Sequence, residues 1–366
     1  MFPAFGAFFL VGIVQSSIGP LLPLLERRLD ATAATSSLII TAFFAGSLGI
    51  MLIISFAPLA ERTTLPLGMG SFAVGSFGLF LSHTLWVSVG ASLVNGISTG
   101  AIVLGVNSIF SRQERGVALV NLLNGYFAMG TVAGPLLAYF SLARGAPYGL
   151  AVSAIGSVLC LRIGAVSGWP VRLLGSAGDA PKAAMRLNIR FSALYLLYGG
   201  LEAGIGSWGA VNLASHGMAA STAAVGMALF WAATGVSKFM APLLVRRLTV
   251  FAMVIGGLVG SAVGLIVVSV GGGIVGYFIA GIFLGPVFPT GLAWIAHATD
   301  DRRLTGFASS ADMTGSIIFP TAIGWLISAK GSPAVPGLLA AMAMAAAATS
   351  LWVRRVSDPD ADGADA

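Results

Sequence analysis

Two acidic residues, Glu202 and Asp312, stand inside apolar runs and away from any polar loop. Glu202 is centred in YGGLEAGIGSW, from Tyr198 to Trp208, within an apolar run from Phe191 to Leu213. If that run crosses a bilayer, the stretch from Arg190 to Glu202 carries the chain ~18 Å inward, against a hydrocarbon core of roughly 30 Å. A carboxylate near the midplane costs at least roughly 2.5 kcal/mol, so such a residue faces a protein interior or a water-filled cavity and marks a pathway. Its chemistry would be reversible protonation: dehydration disfavours the charged form of a carboxyl group, and water access restores it. The rival chemistry is a sodium ion held by the carboxylate with backbone carbonyls and side-chain amides. The plainer alternative is a structural carboxylate hydrogen-bonded to a neighbouring helix. Asp312, in ASSADMTGSIIFP, lies ~14 Å along a helix from Arg303; it either shares the coupling role or pairs with Lys238 or a loop arginine.

Aromatic and amide residues would complete a solute site. Tyr126, Tyr198, Trp208, Trp231 and Trp294 offer flat faces for the apolar side of a sugar, and Gln15, Asn107, Asn124 and Asn212 offer amides to its hydroxyls. Tyr198 shares a helix face with Glu202 at a spacing of four. Each also has a structural alternative, because Trp and Tyr favour membrane interfaces and amides bond between helices. Gly199, Gly200, Gly204 and Gly206 flank Glu202 and permit close packing or local unwinding.

The elements that position these residues follow from composition. With 57% hydrophobic and 9% charged residues, against roughly 25% charged in a soluble domain, the chain is an integral membrane protein. Twelve apolar segments are expected as spans: 3–25, 34–57, 65–85, 87–110, 117–141, 146–166, 190–213, 219–245, 250–271, 273–297, 305–328 and 333–353. Each approaches the length of a transmembrane helix, and β-barrel strands would be shorter and alternating. The first run, beginning at Phe2, outlasts a signal-peptide core and is expected to be a retained span.

The net charge of +6 reflects topology rather than a nucleic-acid partner. With the N-terminus inside, fifteen of the nineteen Lys and Arg residues fall at or near the cytoplasmic side, and only Arg27, Arg28, Arg144 and Lys330 fall outside. This is the positive-inside bias, and it puts both termini in the cytoplasm. Cys160 is the only cysteine, so an intrachain disulfide and a cysteine metal site are excluded. The sequence carries no HExxH, GxSxG or phosphate-loop motif, so an intramembrane enzyme is not expected. The expected partners are the lipid bilayer and a small-molecule solute, with the chain as a monomer and no cofactor beyond a bound proton or Na+.

Two halves repeat. An offset of 185 aligns Gly19 with Gly204, Gly96 with Gly281, Gly100 with Gly285, Gly130 with Gly315 and Pro135 with Pro320. Residues 1–168 and 190–355 are thus expected as two six-helix bundles, joined by a polar linker over 169–189 and followed by an acidic, disordered tail over 356–366. Six spans separate the copies, so the halves enter the membrane in the same sense, with a solute site between them.

The loop APLAERTT, Ala57 to Thr64, resembles the major-facilitator signature GxLaDRxGRR, with Leu59 and Arg62 matching and Glu61 in place of the aspartate. Its counterpart APLLVRRLT keeps Arg246 and Arg247. The resemblance implies a cytoplasmic gate of Glu61, Arg62 and Arg246, with Arg112 and Arg115 of SRQERG as partners. Four further stretches are similar to the fucose permease-like branch of symporters: Gly100 to Ala138, Leu194 to Trp208, Leu229 to Lys238, and Gly285 to Trp294. This implies an all-α, twelve-helix inner-membrane carrier that moves a sugar or similar polar solute by alternating access, driven by a proton or sodium gradient through Glu202 and Asp312. Sugar symporters of this kind carry acids in their first and fourth helices, where this chain has Gln15, Ser16 and Ser17, then Asn95, Ser98 and Asn107. GTVAGP, Gly130 to Pro135, is similar instead to drug–proton antiporters, and efflux of amphipathic compounds is the alternative.

Overall fold

The computed structural model describes residues 2–56, 61–111, 116–167, 185–244, 247–298 and 303–357. Among these residues the chain is helical, without a strand. The first half holds α1 (Phe2–Leu29), α2 (Ala33–Phe56), α3 (Glu61–Leu81), α4 (Leu85–Ser111), α5 (Gly116–Arg144) and α6 (Tyr148–Ser167). The second holds α7 (Met185–Ser215), α8 (Ala220–Leu244), α9 (Val250–Val267), α10 (Gly273–Leu284), α11 (Val287–Ala298), α12 (Arg303–Lys330) and α13 (Val335–Ser357).

Two expectations need correction. The segment expected as one helix over 273–297 is two, α10 and α11, parted at Gly285 and Pro286, because a proline withdraws its N–H and crowds the preceding turn. The expected linker is too long, since residues 185–189 already belong to α7; residues 356–357 likewise end α13 instead of starting the tail. Twelve spans were expected, and among the described residues seven stretches are long and apolar enough to cross a membrane. One of the seven, Val250–Ile295, is 46 residues long. It is interrupted at the π-turn Val268–Gly272, where Gly271 takes φ 98° and Gly273 takes φ 46°, a left-handed region that suits glycine. Leu65–Leu81 and Tyr148–Gly164 are shorter apolar helices. Neither α7 nor α12 qualifies, because polar and charged residues, among them Arg190 and Glu202 in α7 and Asp312 with several Ser and Thr in α12, interrupt their apolar runs.

Packing follows the repeat. In the first half α1 lies against α5 and α6, α2 against α4, and α3 against α4 and α6; in the second, α7 lies against α12 and α13, α8 against α10, and α9 against α10 and α13. The matched glycines explain this likeness. A Cβ at Gly96 would overlap Phe43 O, and one at Gly281 would come within 2.5 Å of Phe230 O. Gly130 and Gly315 likewise abut Phe9 O and Leu196 O. Small residues let helix backbones meet closely inside a membrane protein, so equal spacing of glycine yields equal helix pairs. Gly130 and Gly134 of the GTVAGP element are spent on the α1–α5 contact, the latter against Ile13 O and Ser16.

The halves meet through α1 with α7, α2 with α12, and α5 with α8. Gly19 is pressed onto Gly206 O and Ser207, and a Cβ there would overlap the carbonyl oxygen. Toward the ends where α1 and α7 finish, Ala34 N donates to Ser328 Oγ at 3.0 Å, and the hydroxyls of Thr41 and Thr321 share a short hydrogen bond. That end of the interface is closed.

Candidate functional site

A small cavity of about 60 Å³, opening in part to solvent, lies between the halves. From the first half, α1 gives Gln15 and Ile18, while α2 gives Ile40, Phe43 and Phe44. From the second, α7 gives Glu202, Ala203, Gly206 and Ser207, α8 gives Trp231, and α12 gives Asp312, Met313 and Ser316. One wall is apolar and aromatic with a single amide; the other carries the charge.

The charged wall is built from three helices. On α7, Glu202 follows Tyr198 by one turn. Its Oε1 lies 3.4 Å from Lys238 Nζ on α8, an ion pair whose side chains remain 22% and 37% exposed. Asp312 packs against the backbone of α7: a Cβ at Gly199 would come within 2.6 Å of Asp312 Oδ1. One turn on, Ser316 Oγ donates to Gly199 O at 3.2 Å, which fixes the register of α12 on α7. Asp312 Oδ1 itself is buried and has no hydrogen-bond partner. The Tyr198 hydroxyl, near Glu202, is also buried without a hydrogen bond of good geometry. The Trp231 Nε1 donor is likewise unpaired.

Of the residues singled out from sequence, Gln15, Glu202, Trp231 and Asp312 converge on this cavity. Tyr198 stands behind it, its ring 5.8 Å from Phe288. Trp208 is elsewhere: fully buried, it donates Nε1 to Pro320 O at 2.8 Å and packs under Gly324, so its face is covered by α12. Asn212 is equally committed, donating to Ser332 O at 2.9 Å and accepting from the Tyr277 hydroxyl at 3.1 Å. Trp294 sits edge-on between Phe191 and Phe251, at 5.5 and 5.7 Å. Tyr126 packs 5.2 Å from Phe5, and exposed Asn124 bonds back to Val120 O on its own helix. Asn107, on α4, does not line the cavity, although its Oδ1 is buried without a partner. These seven, Tyr198 included, therefore make no wall of the cavity in this conformation.

Lys238 is a correction as well as an addition. Offered as a partner for Asp312, it pairs with Glu202, the acid on the helix next to its own. Lys238 is a lone cation inside an apolar segment, and that was the available signal. For Phe43, Phe44, Ser207 and Ser316 no signal existed, because nothing in their type separates them from packing residues. Of the expected gate, Glu61 and Arg62 begin α3; their side chains, and Arg112, Arg115 and Arg246 altogether, lie outside the described residues.

No family model matches the sequence, and no curated protein matches it. Solved structures do. The chain is similar to the nucleoside transporter NupG, with TM-score 0.74, 12% identity, and 96% of this chain and 97% of that one covered. It is similar to a D-xylose–proton symporter, with TM-score 0.75, 13% identity and 98% of each chain covered. It is also similar to a POT family transporter solved with a thioalcohol-conjugated peptide, with TM-score 0.76, 12% identity, and 98% and 96% covered. At this identity the likeness is one of fold. The chain shares the all-helical fold of these three transporters.

Proposed function

We propose that the protein is a secondary active transporter that moves a small polar organic solute, a sugar foremost, by alternating access, with a proton or sodium gradient as the driving force. The observation that carries this reading is the cavity between the halves, where Glu202, itself paired with Lys238, and Asp312 share the lining with Gln15 and the rings of Phe43 and Phe44. Aromatic faces on one wall and hydrogen-bonding groups on the other suit a solute with an apolar face and polar edges. Charge enclosed in a membrane protein marks an ion or solute path, and a site at the interface of two repeats can be exposed to either side by rocking.

The finer architecture belongs to the same proposal. Residues 1–168 and 190–355, the latter extended by the start of α7, form two six-helix bundles with twelve crossings in all; α10 and α11 together make one crossing. The chain sits in the inner membrane as a monomer with both termini cytoplasmic. The paired helix contacts and the fifteen-to-four split of basic residues support this. The branch is the fucose permease-like one. Glu202 and Asp312 are the coupling acids, Gln15 and Trp231 the nearest solute contacts, and Glu61, Arg62, Arg112, Arg115 and Arg246 the cytoplasmic gate.

The test is uptake by proteoliposomes across a panel of sugars under imposed proton or sodium gradients. Accumulation of a sugar under one gradient and not the other supports the reading and names the ion. Failure of every sugar, with proton-driven extrusion of amphipathic cations, would replace it by efflux.

A further inference from the structure

We infer that the end of the first half where α1 finishes holds a binding site for the headgroup of an anionic phospholipid, gripped by Arg27 and Arg28 beside His83. The inference rests on the multi-pass membrane reading and on neither the solute nor the coupling ion. A cavity of about 420 Å³, far larger than the one between the halves, opens at this end. α1 lines it with Arg27 and Arg28, the end of α3 with Phe80, Leu81 and the following His83, and the turn before α6 with Gly145.

Three of the four basic residues that stand against the positive-inside bias gather here: Arg27 and Arg28 in the lining, and Arg144 beside Gly145 in the chain. Cations on that side oppose the usual orientation signal, so a cluster of them calls for a compensating anion. The chain supplies none. Among the described residues the one ion pair is that of Glu202 with Lys238, and the neighbouring Glu26 is turned to α2, where its carboxylate accepts from Ser36 Oγ at 2.8 Å. Asp30 forms no ion pair either. Arg28 donates from Nη1 to Phe80 O at 2.9 Å and from Nε to His83 Nδ1 at 3.3 Å, contacts that fix its guanidinium plane without bringing a full negative charge. Among the described residues Arg27 makes no side-chain hydrogen bond or ion pair. A helix dipole and a cap would account for one cation at a helix end; α1 carries two.

A guanidinium fork matches the oxygens of a phosphate group, and the surroundings favour a phosphate that carries acyl chains. Leu81, Phe77 and Val74, spaced by four and three, form one exposed stripe along α3; Tyr148, Val152 and Ile155 form another along α6, which packs on α3. Every helix that faces lipid has such a stripe, but these two begin at a basic cavity. Trp86, 73% exposed, follows His83 by three residues, and rings of this kind mark the headgroup level of a bilayer. A lipid headgroup in the cavity would leave its chains against α3 and α6, whereas a free anion would use the basic residues alone. Basic pockets between membrane helices suit such headgroups.

Competition binding tests this, with radiolabelled phosphatidylglycerol on the purified, delipidated full chain in neutral detergent. Unlabelled phosphatidylglycerol should displace the label from wild type at a concentration roughly tenfold or more below that of phosphatidylcholine with the same acyl chains, the order expected for two arginines near an anionic headgroup. Arg27→Gln/Arg28→Gln should bind the two lipids alike, while Lys330→Gln, which removes the fourth outer cation elsewhere, should keep the preference. Should the double variant not fold, Arg27→Gln decides, since Arg27 holds no other polar contact; its preference should fall severalfold. The proposal is overturned if wild type does not discriminate between the lipids, if the deciding variant keeps the full preference, or if Lys330→Gln loses it as well. It is also overturned if inorganic phosphate displaces the label as well as phosphatidylglycerol does, which would make the cavity a site for free anions. Binding is read without flux, so this result and the uptake test fail independently.

Discussion

Lys238 Nζ lies 3.4 Å from Glu202 Oε1, joining α8 to α7 inside the second half of the molecule. Lys238 starts about two turns from the end of α8 at Leu244, ~9 Å in, and its long apolar stem carries the ammonium deeper. The pair lies within one half, so a rigid rocking of the halves leaves it intact.

Breaking that pair on one side strands a charge. Lys238→Met or Glu202→Gln should lower stability by about 1–3 kcal/mol, less than the cost for a fully buried pair because both side chains keep some water. The double variant should recover at least half of the loss. Thermal unfolding of the three variants in detergent reads this as a double-mutant cycle, and additive losses would mean the contact is not an interaction.

Trp208 and Trp231 should behave in opposite ways. Trp208→Phe deletes the bond to Pro320 O and some buried ring, and should cost about 1–3 kcal/mol without altering the Michaelis constant for solute. Trp231→Phe removes a donor that has no protein partner, so stability should change little while solute affinity falls severalfold. Unfolding midpoints and uptake kinetics measured on both variants distinguish the packing residue from the cavity residue.

Gly19 leaves no space for a side chain at the α1–α7 contact. Gly19→Ala should wedge these helices apart and shift the population toward the state open at that end. Spin labels placed at Thr35 and Lys330 should report a longer distance in the variant, and an unchanged distance distribution would show that the helices absorb the methyl group locally.

Closure at the same end predicts a cross-link. Ala34 and Ser328 are in hydrogen-bond contact, so Ala34→Cys with Ser328→Cys, in a background where Cys160 is replaced by Ser, should form a disulfide on oxidation. Solute flux should stop and return with a reductant. Persistent flux through fully cross-linked protein would mean that this interface need not open during the cycle.

The sequence by itself determined the membrane class, the helical segments, the repeat and the two acids worth watching. These follow from local quantities: apolar length, the spacing of glycines that must admit a neighbouring backbone, and the cost of a carboxyl group in hydrocarbon. Even the split of the segment at Gly285 and Pro286 had its residues in plain view. Only the tertiary structure decided which side chains share the cavity. Trp208 and Trp231 are the same residue type on neighbouring helices, yet one is closed under α12 and the other lines the cavity; Lys238 could have met either acid and meets Glu202. The reason is rotational. A helix fixes the order and rise of its residues, whereas the direction in which each one points depends on how that helix is turned against its neighbours, and that turn is set by contacts between residues far apart in the chain.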